Sequence, residues 1–286
     1  MTKCFDRKDM DYIKYLDLTN FGYDVETEQF MVWNKNKCLW VRDTDEFVIQ
    51  VMQKLNSLAS QVPDPTLRSI ITRVQIGTDV KRELKLKIMT KVNNKSKLIP
   101  TKNGMVIDTE TDQIRKRVKE DNFTFTLNVS YRDDIPESAL VINYIKERQL
   151  ELLLKPLYLS LINSENRSHI IVFRNIQYSG LSTLLQILFH MFDYCWLREY
   201  DSDQTINSSV RCIFSKNQKQ LPLSLLAHNF NYCIVVDKEE WIPNRSVIHV
   251  VELHPFTEID TKFFSKWEQA DFDYFFYLIV KAGRNC

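Results

Sequence analysis

The stretch IIVFRNIQYSGLSTL, residues 170–184, decides the fold class, because it joins the pattern of a buried strand to the start of a helix pattern. Ile170–Phe173 is a short apolar run typical of a buried strand, and Ser182–Phe192 follows with apolar residues at helical spacing. Further strands are predicted at 210–214, 232–236 and 247–253, and an aromatic-rich helix at 263–280. A strand, a loop and a helix followed by further strands is typical of an α/β nucleotide-binding domain.

The loop inside this stretch has part of the pattern of a phosphate-binding P-loop, G-x-x-x-x-G-K-[ST]. Gly180 and either Ser182 or Thr183 match that pattern. Asn175 and Leu181 stand where the first glycine and the lysine belong. Loop amides and a helix N-terminus can still attract a phosphate, but leucine supplies no charge. The alternative interpretation is an ordinary strand–turn–helix connection in which Ser182 caps the helix.

Composition excludes several classes of protein. Only 5 of the 286 residues are glycine, which argues against an intact glycine-rich phosphate loop. No apolar run is long enough to predict a membrane span, and the first ten residues lack the apolar core of a secretory signal. The six cysteines are scattered with no C-x-x-C pair, which predicts a reducing, intracellular compartment and no zinc ribbon.

Charge is concentrated in one part of the chain. Residues 81–119 contain twelve Lys or Arg and four Asp or Glu, a net charge of +8 in a chain whose net charge is +1. A local basic segment of this kind is typical of polyanion binding, and the alternative is a solvated charged face. The predicted nucleic-acid contacts are Lys91, Lys95, Lys97, Lys102, Arg115, Lys116 and Arg117.

The remaining patterns predict a mixed α+β part at 1–135 and an α/β part at 136–286. An aromatic hairpin is expected at 30–33 and 38–42, followed by helices over 45–61 and 66–92. Strands are predicted at 98–100 and 105–107 around the turn dipeptide Asn103–Gly104, and at 123–129. A helical run is predicted over 137–163, with Pro156 kinking or splitting it.

Two segments carry a resemblance to a known family. LIPTKNGMVID, residues 98–108, and DNFTFTLNVSY, residues 121–131, resemble in order and spacing the linker domain of poxvirus-type primase–helicases and their phage relatives. The upstream hairpin with Trp33 and Trp40 looks like the start of that domain. The resemblance implies a linker-type domain at 1–135 and a P-loop-like superfamily 3 helicase domain of the AAA+ type at 136–286.

In this family the second domain hydrolyses ATP, and the departures of this chain from the family motifs predict that it has lost that activity. Val210–Phe214 resembles the Walker B strand, but Ser215 and Lys216 follow it where magnesium-binding acids belong. Arg245 is the candidate arginine finger. Phosphoryl transfer depends on such charges, so ATP and magnesium are expected to bind weakly or not at all. The expected partners are single-stranded or forked DNA, further copies in a hexamer-type ring, or replication proteins, in the host cytoplasm or nucleus if the source is a virus.

Other functions remain open on the sequence. A divergent but active ATPase could take its lysine from Lys216 or Lys238 or from a neighbouring subunit. Asp108 and Glu110 match the first motif of DnaQ-type exonucleases, which holds two metal ions. A protein-interaction module without nucleic-acid binding is a further possibility. Possible metal ligands are His249 with His254 and the acidic turn Asp237, Glu239 and Glu240, although surface or core roles are expected for them.

Overall fold

The computed structural model describes residues 13, 15–72, 78–90, 97–111, 113–161, 169–174, 179–192, 197–199, 212–215, 232–236, 247–252 and 263–284. The chain divides into two compact units. The first comprises residues 1–93 and 118–124, and the second comprises residues 94–117 and 125–286. This division differs from the predicted boundary at 135, since the segments on either side of 118–124 belong to the second unit.

The first unit is a four-stranded sheet with three helices. Its elements are β1 (Phe21–Asp24), β2 (Gln29–Asn34), β3 (Leu39–Arg42), α1 (Thr44–Gln61), α2 (Pro65–Thr72), α3 (Thr78–Lys87) and β4 (Met89–Thr90). The strand order is β3-β2-β1-β4, antiparallel except for the parallel pair β1 and β4. Phe47, Val51 and Leu55, spaced by four residues along α1, are buried in the core of this unit.

Local sequence signals account for the start of this unit. The predicted aromatic hairpin is confirmed, with Trp33 opposite Trp40 and their ring centroids 5.6 Å apart. The first predicted helix is also confirmed, and it begins where Asp43 Oδ1 accepts a hydrogen bond from the Glu46 amide at 2.9 Å. The predicted helix over 66–92 is wrong after Lys87, because Met89 and Thr90 pair with β1 instead.

A segment that is distant in sequence completes the first unit. We call residues 118–124 the strap. The Trp40 amide donates to the Phe123 carbonyl at 2.9 Å, and the Trp40 indole Nε1 donates to the Lys119 carbonyl at 3.1 Å. Lys119 Nζ donates to the Thr19 carbonyl at 2.8 Å, and the Phe123 ring is buried. The predicted strand at 123–129 does not form, since its first two residues belong to the strap.

The second unit contains two sheets and four helices within the described residues. Its elements are β5 (Leu98–Pro100), β6 (Met105–Asp108), β7 (Gln113–Lys116), α4 (Ala139–Arg148), α5 (Glu151–Leu161), β8 (His169–Arg174), α6 (Leu181–Phe192), β9 (Leu197–Glu199), β10 (Cys212–Ser215), β11 (Tyr232–Val236), β12 (Val247–Glu252) and α7 (Gln269–Arg284). Strands β5, β6 and β7 form an antiparallel sheet in that order. This confirms the predicted strands on both sides of Asn103–Gly104.

The predicted helical run over 137–163 is divided, but not at its proline. Ser138 Oγ accepts the Val141 amide at 3.1 Å and caps α4. The run breaks at Gln149, whose φ of 53° is left-handed and ends α4. Pro156 lies inside α5, so it does not divide the run.

The second sheet of this unit is entirely parallel, with the order β12-β8-β11-β10-β9. The predicted strands at 170–173, 210–214, 232–236 and 247–253 all fall on its members, whereas β9 was not predicted. Helix α5 packs on β8, β11 and β12, and it also contacts α7. The fold is therefore of the mixed α/β kind, and no described helix is long and apolar enough to cross a membrane.

Candidate functional site

The connection from β8 to α6 lies where the strand order of the parallel sheet reverses. The chain passes from β8 to the edge strand β9, returns through β10 and β11, and then continues on the other side of β8 to β12. The strand order therefore reverses beside β8. In open α/β sheets, ligands bind in the crevice at the carboxyl ends of the strands where such a reversal occurs. The turn that follows β8 is thus the candidate ligand site of the second unit.

Gly180 begins the helix at this turn. Its φ of 72° is left-handed, a conformation that glycine adopts without steric cost. The Gly180 carbonyl accepts the first helical hydrogen bond, from the Leu184 amide at 3.0 Å, so Gly180 is the capping residue of α6. Ser182 is then the second residue of the helix and is exposed. Ser182 is therefore not the cap, and an ordinary strand–turn–helix connection stays an alternative with Gly180 in that role.

Leu181, at the position of the P-loop lysine, faces the core. Its side chain is only 7% exposed and belongs to the same apolar cluster as Leu184 and Leu185. The next two residues are less buried, Ser182 being exposed and Thr183 half-buried. The first helical residue thus contributes packing energy, and among the described residues of this turn no side chain carries a positive charge.

The described strand ends beside this turn include a hydroxyl residue on β10, a cation on β8 and a carboxylate on β12. In a parallel sheet all carboxyl ends lie at one edge. There β10 ends at Ser215, so the strand that resembles Walker B ends in a hydroxyl residue. The register also places Glu252, the last residue of β12, opposite Arg174, the last residue of β8. No sequence motif marks Glu252, and only the strand pairing places it at this edge.

Several predicted site residues lie outside the described residues, and no geometry is assigned to them. They are Lys91, Lys95, Asn175, Lys216, Asp237, Lys238, Glu239, Glu240, Arg245 and His254. The arginine finger, the first P-loop position and the acidic turn therefore remain predictions.

The described cations of the predicted nucleic-acid surface are mostly engaged in local contacts. Lys97 forms an ion pair with Glu110, and Lys102 Nζ donates to Gln269 Oε1 at 3.1 Å. Arg115 Nη1 donates to the Lys116 carbonyl at 3.2 Å. Arg117 is only 4% exposed, and its Nη1 donates to the Thr101 carbonyl at 3.4 Å. Lys116 is exposed, whereas Arg117 does not contribute to the surface.

The carboxylates of the exonuclease-like motif stabilise the turn after β6. Asp108 Oδ1 accepts hydrogen bonds from the amides of Glu110 at 2.9 Å and Thr111 at 3.3 Å. Partial burial opposes the ionised form of Asp108, but these amides outweigh it and hold the pKa of that carboxyl below its usual value. No group of three or more potential metal ligands occurs within the described part of the chain. This arrangement gives the exonuclease alternative no support.

A polar network fixes the loop after the strap against α7. Gln269 Nε2 donates to the Asn128 carbonyl at 2.8 Å and to Asp273 Oδ1 at 2.9 Å. Asp273 Oδ1 also accepts the Ser130 amide at 2.9 Å, and Asn128 Nδ2 donates to the His190 carbonyl at 3.0 Å. The network therefore joins the ends of α6 and α7 to the segment at 128–130, which resembles the family motif.

Comparisons with known proteins give a weak result. No family model matches the sequence, and no curated protein matches it. Two structures of the C-terminal region of NrS-1 are similar at 10% and 11% sequence identity, with TM-scores of 0.44 and 0.46. They cover 92% and 93% of this chain, which in turn spans 66% of each of those chains. Similarity at this level does not establish a common fold or activity.

Proposed function

We propose that this chain is a helicase-like protein that takes part in DNA replication and does not hydrolyse ATP efficiently. The observation that carries the proposal is the turn at the reversal of the parallel sheet, where Gly180 begins α6 and Leu181 is buried in the core. Ligands bind at this position in open α/β sheets, whereas Leu181 is buried among apolar side chains of the core. The family resemblance of residues 98–131 supports the replication role.

The missing charges determine which activity is expected. Phosphoryl transfer depends almost entirely on positioning and on charge stabilisation by lysine, metal ions and arginine. At the described turn neither Leu181 nor Ser182 can supply a positive charge, and β10 ends at Ser215. Loop amides at the start of α6 are the remaining phosphate-binding groups, and they lead us to expect weak nucleotide binding without useful turnover.

The expected role is therefore to bind DNA or to scaffold a replication complex, as a single chain or as a ring of copies. ATP and magnesium are optional ligands in this proposal. The arginine finger assigned to Arg245 and the DNA contacts assigned to the basic segment remain part of it as predictions.

The test measures nucleotide binding and hydrolysis on the same preparation. Calorimetry with ATP and magnesium is expected to give weak or no binding, and ATP turnover with or without single-stranded DNA is expected to stay below about 1 s⁻¹, the lower end of typical enzyme rates. A Gly180→Val variant is the matched control, because residual binding through the turn amides should disappear in it. Turnover above that rate in the wild type, lost in the variant, would show an active ATPase and overturn the proposal.

A further inference from the structure

The outward face of α3 in the first unit is a basic surface outside the predicted nucleic-acid contacts. Val80, Leu84 and Ile88, spaced by four residues, are buried in the core of that unit. This spacing fixes the orientation of the helix, so the residues between them face away from the core. Four of these residues are cations, namely Lys81, Arg82, Lys85 and Lys87. The sequence of the helix also contains two acidic residues, Asp79 and Glu83.

The four cations on α3 are exposed or half-buried, as are Lys97, Lys102, Arg115 and Lys116 around the β5–β7 sheet, where Arg117 is buried. Arg82 and Lys87 are exposed, and Lys81 is half-buried. Neither Lys81 nor Lys87 forms an ion pair with any residue that the structure describes. Lys85 is half-buried, and its Nζ lies 4.4 Å from the centroid of the Tyr23 ring, a local cation–π contact. On the β5–β7 sheet, in contrast, Lys97 is paired with a carboxylate.

Apolar side chains accompany these cations. Leu86 is 65% exposed on the outward face, and Met89, which follows the helix in β4, is 54% exposed. A duplex presents mainly its phosphate backbone to such a surface, whereas a single strand also presents unstacked bases that apolar side chains can contact. Lysine is depleted at the centres of protein–protein interfaces, and Lys and Arg are the usual phosphate contacts of nucleic-acid-binding proteins. The composition of this face therefore fits a single strand better than an acidic protein.

We propose that the outward face of α3, with Lys81, Arg82, Lys85 and Lys87 around Leu86, contacts the backbone and bases of single-stranded DNA. The inference rests on the proposed function, because it names the surface that a DNA-binding role would use. It assigns the contact to the α3 cations at the start of the basic segment 81–119, whereas the contacts named from the sequence begin at Lys91.

The test compares two charge-neutralised variants of the full chain. One carries Lys81→Gln, Arg82→Gln and Lys87→Gln on α3, and the other carries Lys97→Gln, Arg115→Gln and Lys116→Gln on the β5–β7 sheet. Binding of a fluorescent oligothymidylate of about 30 nucleotides is measured over a range of salt concentrations. Each lost phosphate contact lowers the salt slope by about 0.7 for a single strand. The α3 variant should therefore lose about 2 units of slope and roughly a hundredfold in affinity at about 0.1 M salt.

A third variant, Leu86→Ala, probes the base contacts. We expect it to weaken oligothymidylate binding several-fold with an unchanged salt slope, because it removes apolar contact and no charge. A duplex of the same length should bind more weakly to the wild type and be insensitive to Leu86→Ala. Thermal unfolding of each variant shows that the fold is retained, as expected for substitutions at exposed and half-buried positions.

Each outcome decides the inference. If the β5–β7 variant loses binding while the α3 variant does not, the α3 surface is wrong and a DNA-binding function survives. If the wild type binds no DNA at low salt, both this inference and the DNA-binding part of the proposed function fail. If polyglutamate displaces the oligothymidylate at equal charge concentration, the surface selects negative charge alone, and the assignment to single-stranded DNA is overturned.

Discussion

Gly104 and Gly180 have nearly the same φ angle in two different turns. Their φ angles are 76° and 72°, in the left-handed region. Gly104 closes the hairpin between β5 and β6, and Gly180 joins the parallel sheet to α6. Both positions were singled out from the sequence, one as a turn dipeptide and the other as a P-loop glycine.

The surroundings of the two glycines differ in kind. Next to Gly104, polar groups hold the turn: Thr101 Oγ1 donates to Asn103 Oδ1 at 2.7 Å, and Asn103 Nδ2 donates to the Tyr131 carbonyl at 3.0 Å. Next to Gly180, the neighbouring Leu181 is buried among apolar side chains. A glycine at a family position therefore indicates that the backbone there needs a left-handed φ angle. Whether chemistry accompanies that requirement depends on the neighbouring side chains.

The largest expected effect comes from restoring the lysine of the P-loop pattern. Leu181→Lys places an ammonium group in an apolar cluster, and we expect it to lower the free energy of unfolding by about 3 kcal/mol or more without producing ATP hydrolysis. Urea unfolding and an ATPase assay measure both effects. Ser182→Lys is the control, because that neighbouring position is exposed and a change within about 0.5 kcal/mol is expected there. Equal stability of the two variants would show that residue 181 faces solvent.

The second effect tests the left-handed φ angle that Gly104 and Gly180 share. A β-carbon added at Gly104 meets no atom within 4 Å, so Gly104→Ala exposes the cost of the left-handed φ alone. We expect a loss of about 1–2 kcal/mol, and a comparable loss for Gly180→Ala. Gly104→Asn should cost less, because asparagine tolerates this region better. Urea unfolding of the three variants gives the comparison, and an alanine variant as stable as the wild type at either site would contradict it.

The third effect tests whether side-chain hydrogen bonds stabilise the turn at Gly104, in contrast to the apolar packing beside Gly180. Asn103→Ala removes the hydrogen bond to the Tyr131 carbonyl and the acceptor for Thr101, so a loss of about 1 kcal/mol is expected from thermal or urea unfolding. Lys102→Ala, in the same turn, removes only an exposed hydrogen bond to Gln269 and should change stability by less than about 0.5 kcal/mol. If Lys102→Ala were the more damaging change, the turn would depend on its contact with α7.

The smallest expected effect is the pH dependence of the stability that Asp108 contributes at the end of β6. The pKa of Asp108 is lowered in the folded chain, so its contribution to stability is present above the unfolded value of about 3.9 and is lost as the pH falls below it. Asp108→Asn removes this contribution at neutral pH. The difference between the unfolding free energies at about pH 6 and pH 3 should therefore be smaller in the variant than in the wild type. A difference of the same size in both proteins would contradict the role of the turn amides.

Much of the fold follows from local sequence, because its signals are local. Alternating aromatic residues predicted the β2–β3 hairpin, Asp43 marked the start of α1, and the apolar runs marked the strands of the parallel sheet. Strands β1, β4, β7 and β9 were not predicted, since each has only two to four residues, too few to show an alternating pattern. The break at Gln149 was missed because a left-handed glutamine has no sequence signal comparable to that of glycine.

The order strand, glycine and helix around the candidate site could be predicted from the sequence, whereas the surroundings of its side chains could not. The position of Leu181 after a strand and a glycine could be predicted, whereas the direction of its side chain depends on the packing of α6 against the core. The contacts of Lys97 and Arg117 could not be predicted for the same reason. Glu110 approaches Lys97, and the Thr101 carbonyl approaches Arg117, only when the β5–β7 sheet forms. Charge counts along a sequence therefore overestimate the charge that a folded surface offers.

The strap also determines when the first unit can finish folding during synthesis of the chain. Ribosomes produce residues 1–93 first, but the partners of Trp40 at Lys119 and Phe123 emerge only after residues 94–117 have been made. The first unit therefore cannot complete its native hydrogen bonds while it is the only part of the chain that has been translated. A fragment that ends near residue 93 lacks the strap, and an expression fragment of the first unit has to supply residues 118–124 to retain these contacts.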